Sequence, residues 1–332
     1  MPLCAGVFRG RRQYLADRLF EDRRLNPRLA VAAAAWLSAT AAFSQGEPPP
    51  APPPNVDVSI GRESLSSPLF RLSDAGALVR IPGLRGLSGN YIRIGAGGMA
   101  VLPMPAGQWS ASGRLDWKTA PAARDLDFAN VGGDLMWRQG LGDGQVGIGL
   151  GRQHMAVAGN AFRTATAVQA DWTLPSADGG HWVLLSALTG QRHARDTELD
   201  GAVTSLALQR HLPAPLSHVD ALDVEMAFTR DRTRFDDLSS RTGFLRLSAD
   251  RRWLGVDWSL GVSLQRAAFD ASLLPSLPIR RDRGATLEFS ASLPVGTHGS
   301  LRLDVQEGRN RSNVPLYDNR YRNLSVTFAR PW

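Results

Sequence analysis

The chain reads as an all-β protein, a transmembrane antiparallel β-barrel of about fourteen strands and of the outer-membrane type. Three observations predict this. Segments of strict two-residue alternation recur from Val56 to the end. The joins between them alternate short and long. The last segment keeps its alternation to the final residue and stops on an aromatic.

The alternation comes first. "WSLGVSLQ" places Trp258, Leu260, Val262 and Leu264 on one face, with Ser259, Gly261, Ser263 and Gln265 on the other. "SLRLDVQE", "ATLEFSASL", "ALDVEMAF", "QVGIGLG" and "SASGRLDWK" repeat the pattern. Period-two alternation is the signature of a strand with one apolar and one polar face. Fourteen segments can be drawn, starting near residues 56, 91, 108, 128, 145, 163, 181, 201, 220, 241, 256, 284, 300 and 321. Each is long enough to cross a bilayer when tilted, which takes ~9–11 residues.

A soluble sandwich also alternates, so the composition of the two faces decides. The polar face mixes Gly, Ser, Thr and Gln with charges of both signs. Arg114, Asp116, Asp223, Glu225, Arg246, Glu288, Arg302 and Asp304 are expected to line a lumen, where cross-strand pairs can form. The apolar face is free of charge in the central part of most strands. Trp109, Trp117, Trp137, Trp172, Trp182, Trp258 and Trp332 lie at or near segment ends, which predicts aromatic girdles at both membrane interfaces.

The joins come second. Those after even-numbered segments are compact, as in "PMPAG", "LGDG", "SADGG" and "WLG". Those after odd-numbered segments are mostly longer and rich in Arg and Asp, as in "RHARDTELDG", "TRDRTRFDDLSSR", "DASLLPSLPIRRDRG" and "GRNRSNVPLYDNR". Tight periplasmic turns and long external loops give this rhythm, and place both chain ends in the periplasm. The stretch "RDRTRFDD" (230–237) is expected to be a solvated external loop with internal ion pairs, or a contact with lipopolysaccharide phosphates or a client protein.

The C-terminus comes third. Closure of a barrel pairs the last strand with the first and leaves no open edge. Leu324, Val326, Phe328 and Trp332 fit the alternating, aromatic-terminated signal that barrel-assembly machinery reads during insertion. Arg330 breaks the pattern and is expected to snorkel at the membrane rim.

Residues 1–45 are expected to form a secretory signal peptide with a long basic n-region. "LAVAAAAWLSATAAF" (29–43) follows Arg23, Arg24 and Arg28, and is too short to span a bilayer as a helix. Cleavage is expected between Ala42 and Gln45. Residues 46–55 form a Pro-rich spacer, and residues 56–332 the barrel. Much of the net charge of +7 is local, because residues 1–45 hold seven Arg against Asp17, Glu21 and Asp22. Without a basic block or an aromatic-studded basic stripe, no nucleic-acid partner is expected. The single cysteine, Cys4, excludes an intrachain disulfide.

The last fifty residues carry a more specific likeness. "RRDRG" (280–284) opens one alternating strand, and "GRNRSNVPLYDNRYRNLSVTFARPW" (308–332) follows. This resembles the C-terminal barrel of the surface lipoprotein assembly modifier (Slam) family, which has an Arg-Arg-Asp at the start of a late strand, a Ser-Asn-then-Tyr loop and a basic-aromatic end. The matching positions are Arg280, Arg281, Asp282, Ser312, Asn313, Tyr317, Arg330 and Trp332. The resemblance implies a fourteen-stranded translocator that assists export or surface display of a protein or lipoprotein client, through the lumen or a seam between the first and last strands. That family carries a periplasmic helical-repeat domain before the barrel, where this chain has only the spacer. A narrow porin-like solute channel is the alternative, and a barrel enzyme a more distant one.

No covalent chemistry or cofactor is implied. "GAGGMA" (95–100) fits a dinucleotide pattern but is followed by "VLPMP" rather than a helix, so it reads as close strand packing. The histidines lack metal-site spacing, and no Gly-x-Ser-x-Gly nominates a nucleophile. The expected partners are outer-membrane lipid and lipopolysaccharide, the barrel-assembly machinery and a possible client.

Overall fold

The computed structural model describes residues 54–72, 78–273, 277–296 and 299–331. The expected signal segment, the spacer up to residue 53, His298 and Trp332 lie outside the described residues. Fourteen strands form one closed antiparallel barrel. They are β1 (Asn55–Leu72), β2 (Leu78–Met104), β3 (Gly107–Thr119), β4 (Phe128–Leu141), β5 (Gly144–Val157), β6 (Asn160–Pro175) and β7 (His181–His193), then β8 (Gly201–Leu216), β9 (Val219–Thr233), β10 (Ser240–Trp253), β11 (Val256–Phe269), β12 (Arg281–Val295), β13 (Gly299–Ser312) and β14 (Asn319–Pro331). Residues 69–72 and 78–82, the far ends of β1 and β2, belong to a compact unit separate from the rest of the barrel.

Closure is between β1 and β14, in register from Asn55 opposite Pro331 to Ser66 opposite Arg320. At ~4.8 Å between strands and a tilt of ~40°, fourteen strands give a backbone cylinder roughly 28 Å across. This lies between the small barrels filled by side chains and the sixteen-stranded aqueous porins.

The usual inside-outside distribution is inverted. Among the described residues no large side chain is fully buried, while Ile60 (64%), Leu150 (56%), Leu260 (51%), Phe228 (51%) and Leu324 (51%) stand exposed. Register places them on one continuous outer band. Leu301, Leu303 and Val305 of β13 lie opposite Phe328, Val326 and Leu324 of β14. Val58 and Ile60 of β1 continue the row from Phe328 and Val326. Five successive outward positions on β11, Val256 to Leu264, give the band a height of roughly 20 Å along the membrane normal. An apolar surface of this extent is stable only against lipid.

Two expectations about the elements need correction. β2 begins at Leu78, well before the expected start near 91, and β12 and β14 begin at 281 and 319. More generally, stretches read as loops for their charge are partly strand. Of 230–237, residues 230–233 belong to β9, and Arg281, Arg283, Arg309, Arg311 and Arg320 all lie on strands. Charge marks a loop only where the strand would bury it; these strands continue past the lipid edge, where no desolvation opposes them. The join between β5 and β6 also departs from the long-loop rhythm, being the two-residue turn Ala158-Gly159.

The aromatic expectation is half right. Outward-facing Trp109, Trp137, Trp172, Trp182, Trp253 and Trp258 gather at the end with the short turns, and Trp109 lies directly opposite Trp137. Trp117 stands at the other end. The girdle is therefore single, and the loop end carries arginine where a second was expected.

Turn chemistry leaves room for improvement at the β10–β11 turn. Leu254 and Gly255 join β10 to β11 with φ of 53° and 77°, the left-handed pair of a type I′ turn that favours Asn-Gly. Leu254 is 80% exposed. Leu254→Asn is expected to raise unfolding stability by about 0.5–1 kcal/mol, read as a higher urea midpoint in vesicles.

Candidate functional site: the inward face

Side chains from next-nearest strands meet only on the concave face of a barrel, and such contacts identify it. The Tyr91 hydroxyl on β2 donates to Asn323 Oδ1 on β14 at 2.9 Å, across β1. Lys118 on β3 reaches Glu63 on β1 at 2.6 Å, across β2. Arg138 on β4 reaches Asp171 on β6 at 3.3 Å, and Arg246 on β10 reaches Glu288 on β12 at 2.7 Å.

All eight charges expected in the lumen face this way. Asp116 is held between Arg93 (2.5 Å) and Arg114 (2.6 Å). Arg302 pairs with Asp304 two residues on, at 2.9 Å. Glu288 takes both Arg246 and the Gln306 amide, the latter at 3.0 Å. Asp223 meets the His211 ring at 2.7 Å, and that ring stacks on His181 with centroids 5.0 Å apart. Glu225 lies directly opposite Arg246 in register.

Asp57, Glu63, Arg93, Lys118, Arg138 and Asp171, which were not among the expected lumen charges, also belong to the lining. Their alternation was legible, but their partners sit two strands away and carry no local sign. Taken together, inward carboxylates outnumber inward cations. Arg93, Arg114, Lys118, Arg138, Arg246 and Arg302 are each bound to a carboxylate. Asp57, Asp134, Glu225 and Asp231 face inward with no cation within ion-pair distance among the described residues. Arg163 on β6 also faces inward without an ion pair, donating only to the Gln153 amide oxygen at 3.4 Å; set against these four carboxylates, it leaves the uncompensated charge of the lumen wall negative.

Glycine shapes this wall. A Cβ on Gly61 would stand 2.6 Å from the Tyr91 ring, and one on Gly147 2.7 Å from the Asp171 carboxylate. Gly95, Gly149 and Gly151 are overlaid in the same way by Asp57, Met136 and Asp134. Large inward side chains thus lie flat along the wall over a neighbouring glycine instead of projecting to the axis. "GAGGMA" is part of this arrangement, toward the C-terminal end of β2.

The residues that carry the Slam resemblance form one junction at the loop end. The Arg280 guanidinium lies 3.4 Å from the Tyr317 ring centre and 4.2 Å from that of Phe269. It also binds Asp282, with Nη2 at 2.5 Å. Asn313 accepts the Arg281 N–H at 2.6 Å and donates to the Ile279 carbonyl at 2.8 Å. Ser312 caps Val314 N–H at 3.1 Å and donates its own N–H to Asp318 at 2.7 Å. These contacts pin the β11–β12 loop to the β13–β14 loop. Burial pushes the Tyr317 hydroxyl above its usual pKa, so it stays neutral under the cation. In the same region Arg230 forks onto Asp270 and holds that carboxyl below its usual range.

Of the assembly-signal residues, Leu324, Val326 and Phe328 face outward and are exposed. Arg330 also faces outward, opposite Val56 at the turn-end rim. The rings of His211 and His193 each meet an aspartate, but among the described residues no serine hydroxyl bonds to either. No cluster of metal-ligating side chains occurs among the described residues.

No family model and no curated protein matches the chain. Similar solved structures include Pseudomonas aeruginosa OpdK with vanillate, at 10% identity and a TM-score of 0.43, covering 84% of this chain and 99% of that one. Pseudomonas aeruginosa OccK2 (OpdF) in complex with glucuronate gives 11% and 0.44, covering 83% and 96%. A loop L8 deletion mutant of OmpT, an outer membrane protein of Vibrio cholerae, gives 7% and 0.43, covering 84% and 99%. Likeness of this degree says nothing of what this barrel carries.

Proposed function

We propose that this protein is an outer-membrane channel for small solutes, with a preference for cations. The observation that carries the reading is the inward face: a polar, charged wall around the whole cylinder, with most of its cations neutralised and a surplus of carboxylates left over. A lumen lined in this way favours water and raises the local concentration of counter-ions of opposite sign. The seam supports passage through the lumen rather than between strands. β1 and β14 are paired along the membrane span, and Ser59 bonds Thr327 across them at 2.8 Å.

The test is conductance in a planar bilayer with the purified mature chain. Steady single-channel steps are expected, with a reversal potential in a KCl gradient displaced toward that of potassium. Asp134→Asn with Glu225→Gln is expected to reduce that displacement by about half, since both carboxylates lack a cation partner. A barrel that is folded and inserted but passes no current would end this reading.

A second reading, client translocation as in the Slam family, rests on residues 280–332. The interlocked junction of Arg280, Asp282, Asn313 and Tyr317 favours it, because it is the kind of fixed external platform a client would meet. Deleting the gene is then expected to remove a specific protein from the cell surface. Unchanged surface display of every protein would end it.

A further inference from the structure

Outward-facing charge at the loop end is predominantly cationic. Arg266 on β11 stands directly opposite Arg283 on β12, and Arg283 directly opposite Arg311 on β13. Arg309 stands opposite Arg320 on β14, and Arg230 opposite Arg241. Like charges directly opposite on antiparallel strands, with Cβ atoms ~5 Å apart, are destabilising. Asp270 relieves the Arg230–Arg241 pair by binding Arg230, but Glu307 is bound to Arg322 at 2.9 Å and leaves the pairs on β11–β14 without a bound carboxylate. Among the described residues Arg266, Arg283, Arg309, Arg311 and Arg320 are exposed and make no ion pair or side-chain hydrogen bond. Four adjacent strands thus present five uncompensated guanidinium groups in a compact row.

Their height identifies what offsets them. Arg266 follows Leu264, the last apolar outward residue of β11, by two positions, and Arg309 follows Val305 by four. Two residues along a strand tilted by ~40° rise roughly 5 Å. The row therefore lies just beyond the hydrocarbon, at the height of the lipid headgroups.

We propose that this arginine row on β11–β14 binds the phosphate groups of a phosphorylated glycolipid in the outer leaflet. Guanidinium forks match phosphate oxygens two at a time, and a lipid phosphate between opposed arginines converts their repulsion into a shared attraction. The inference rests on the outer-membrane placement of the barrel but not on conduction. It explains why a second tryptophan girdle does not form at this end.

The test uses the full mature chain in detergent micelles, with bound lipid counted by native mass spectrometry. The probes are diphosphorylated lipid A, the same lipid with its phosphates removed, and inorganic phosphate alone. The unaltered protein is expected to retain diphosphorylated lipid A and to lose it as salt rises. The variant R266Q/R283Q/R309Q/R311Q/R320Q is expected to bind it at least about tenfold more weakly. R251Q, which removes an outward arginine at the turn end, is expected to bind as before. If the fivefold variant does not fold, R266Q/R283Q is read instead, with a loss of about threefold. Equal retention by a folded variant, equal retention of the dephosphorylated lipid, or saturation by inorganic phosphate would each overturn the proposal. A protein that binds the lipid but passes no current would sink the channel and leave this site standing.

Discussion

Lys118→Met is expected to lower unfolding stability by about 3–5 kcal/mol, the cost of stranding one member of a buried ion pair. Lys118 and Glu63 are less than a tenth exposed and 2.6 Å apart. The ammonium also faces the Phe128 ring at 4.9 Å and the Tyr91 ring at 5.4 Å. Removing the lysine leaves the Glu63 carboxylate with no counter-charge. Glu63→Gln is expected to cost less, because the two rings still solvate the cation. The double variant E63Q/K118M is expected to recover much of the loss, since no isolated charge remains. Equilibrium unfolding in lipid vesicles reads all three. A single variant as stable as the parent, or a double variant no better than K118M, would count against the pair as described.

Gly61→Val is expected to disrupt closure itself, with a loss of about 3 kcal/mol or more, because it strains backbone as well as side chains. The added Cβ would stand 2.6 Å from the Leu324 carbonyl oxygen on β14 and 2.6 Å from the Tyr91 ring. The carbonyl belongs to the β1–β14 seam and cannot move without loosening it. The ring cannot move without breaking its bond to Asn323. Tyr91→Phe removes only that bond and is expected to cost about 1 kcal/mol. The measurement is the fraction of chain that reaches the folded, heat-modifiable form after refolding. A G61V protein that closes and melts like the parent would show that the seam tolerates what this geometry forbids.

Much of the barrel is legible in the sequence. Segments such as Trp258–Leu264 and Leu301–Val305 repeat a two-residue period that only a strand between unlike environments requires. The tight even-numbered joins fixed which ends of the strands share a side. The eight lumen charges followed from the same period, because a strand has only two faces. Strand limits were less legible: Arg283, Arg309, Arg311 and Arg320 looked like loop residues because charge ordinarily signals exposure. They are exposed, but on strands that outlast the bilayer. The single tryptophan girdle was missed for a related reason, since being near a segment end does not say which end.

The sequence by itself determined the number of strands, their two faces, the order of short and long joins and the apolar outer band. These depend on period and composition, which are local. Only the tertiary structure decided that Lys118 meets Glu63, that Tyr91 spans the seam to Asn323, that Arg280 and Tyr317 lock two loops together, and that arginines from four strands form one row. Each of these joins residues on different strands, whose alignment depends on closure and stagger of the whole cylinder. A two-residue period fixes which way a side chain faces, and leaves open what it meets there.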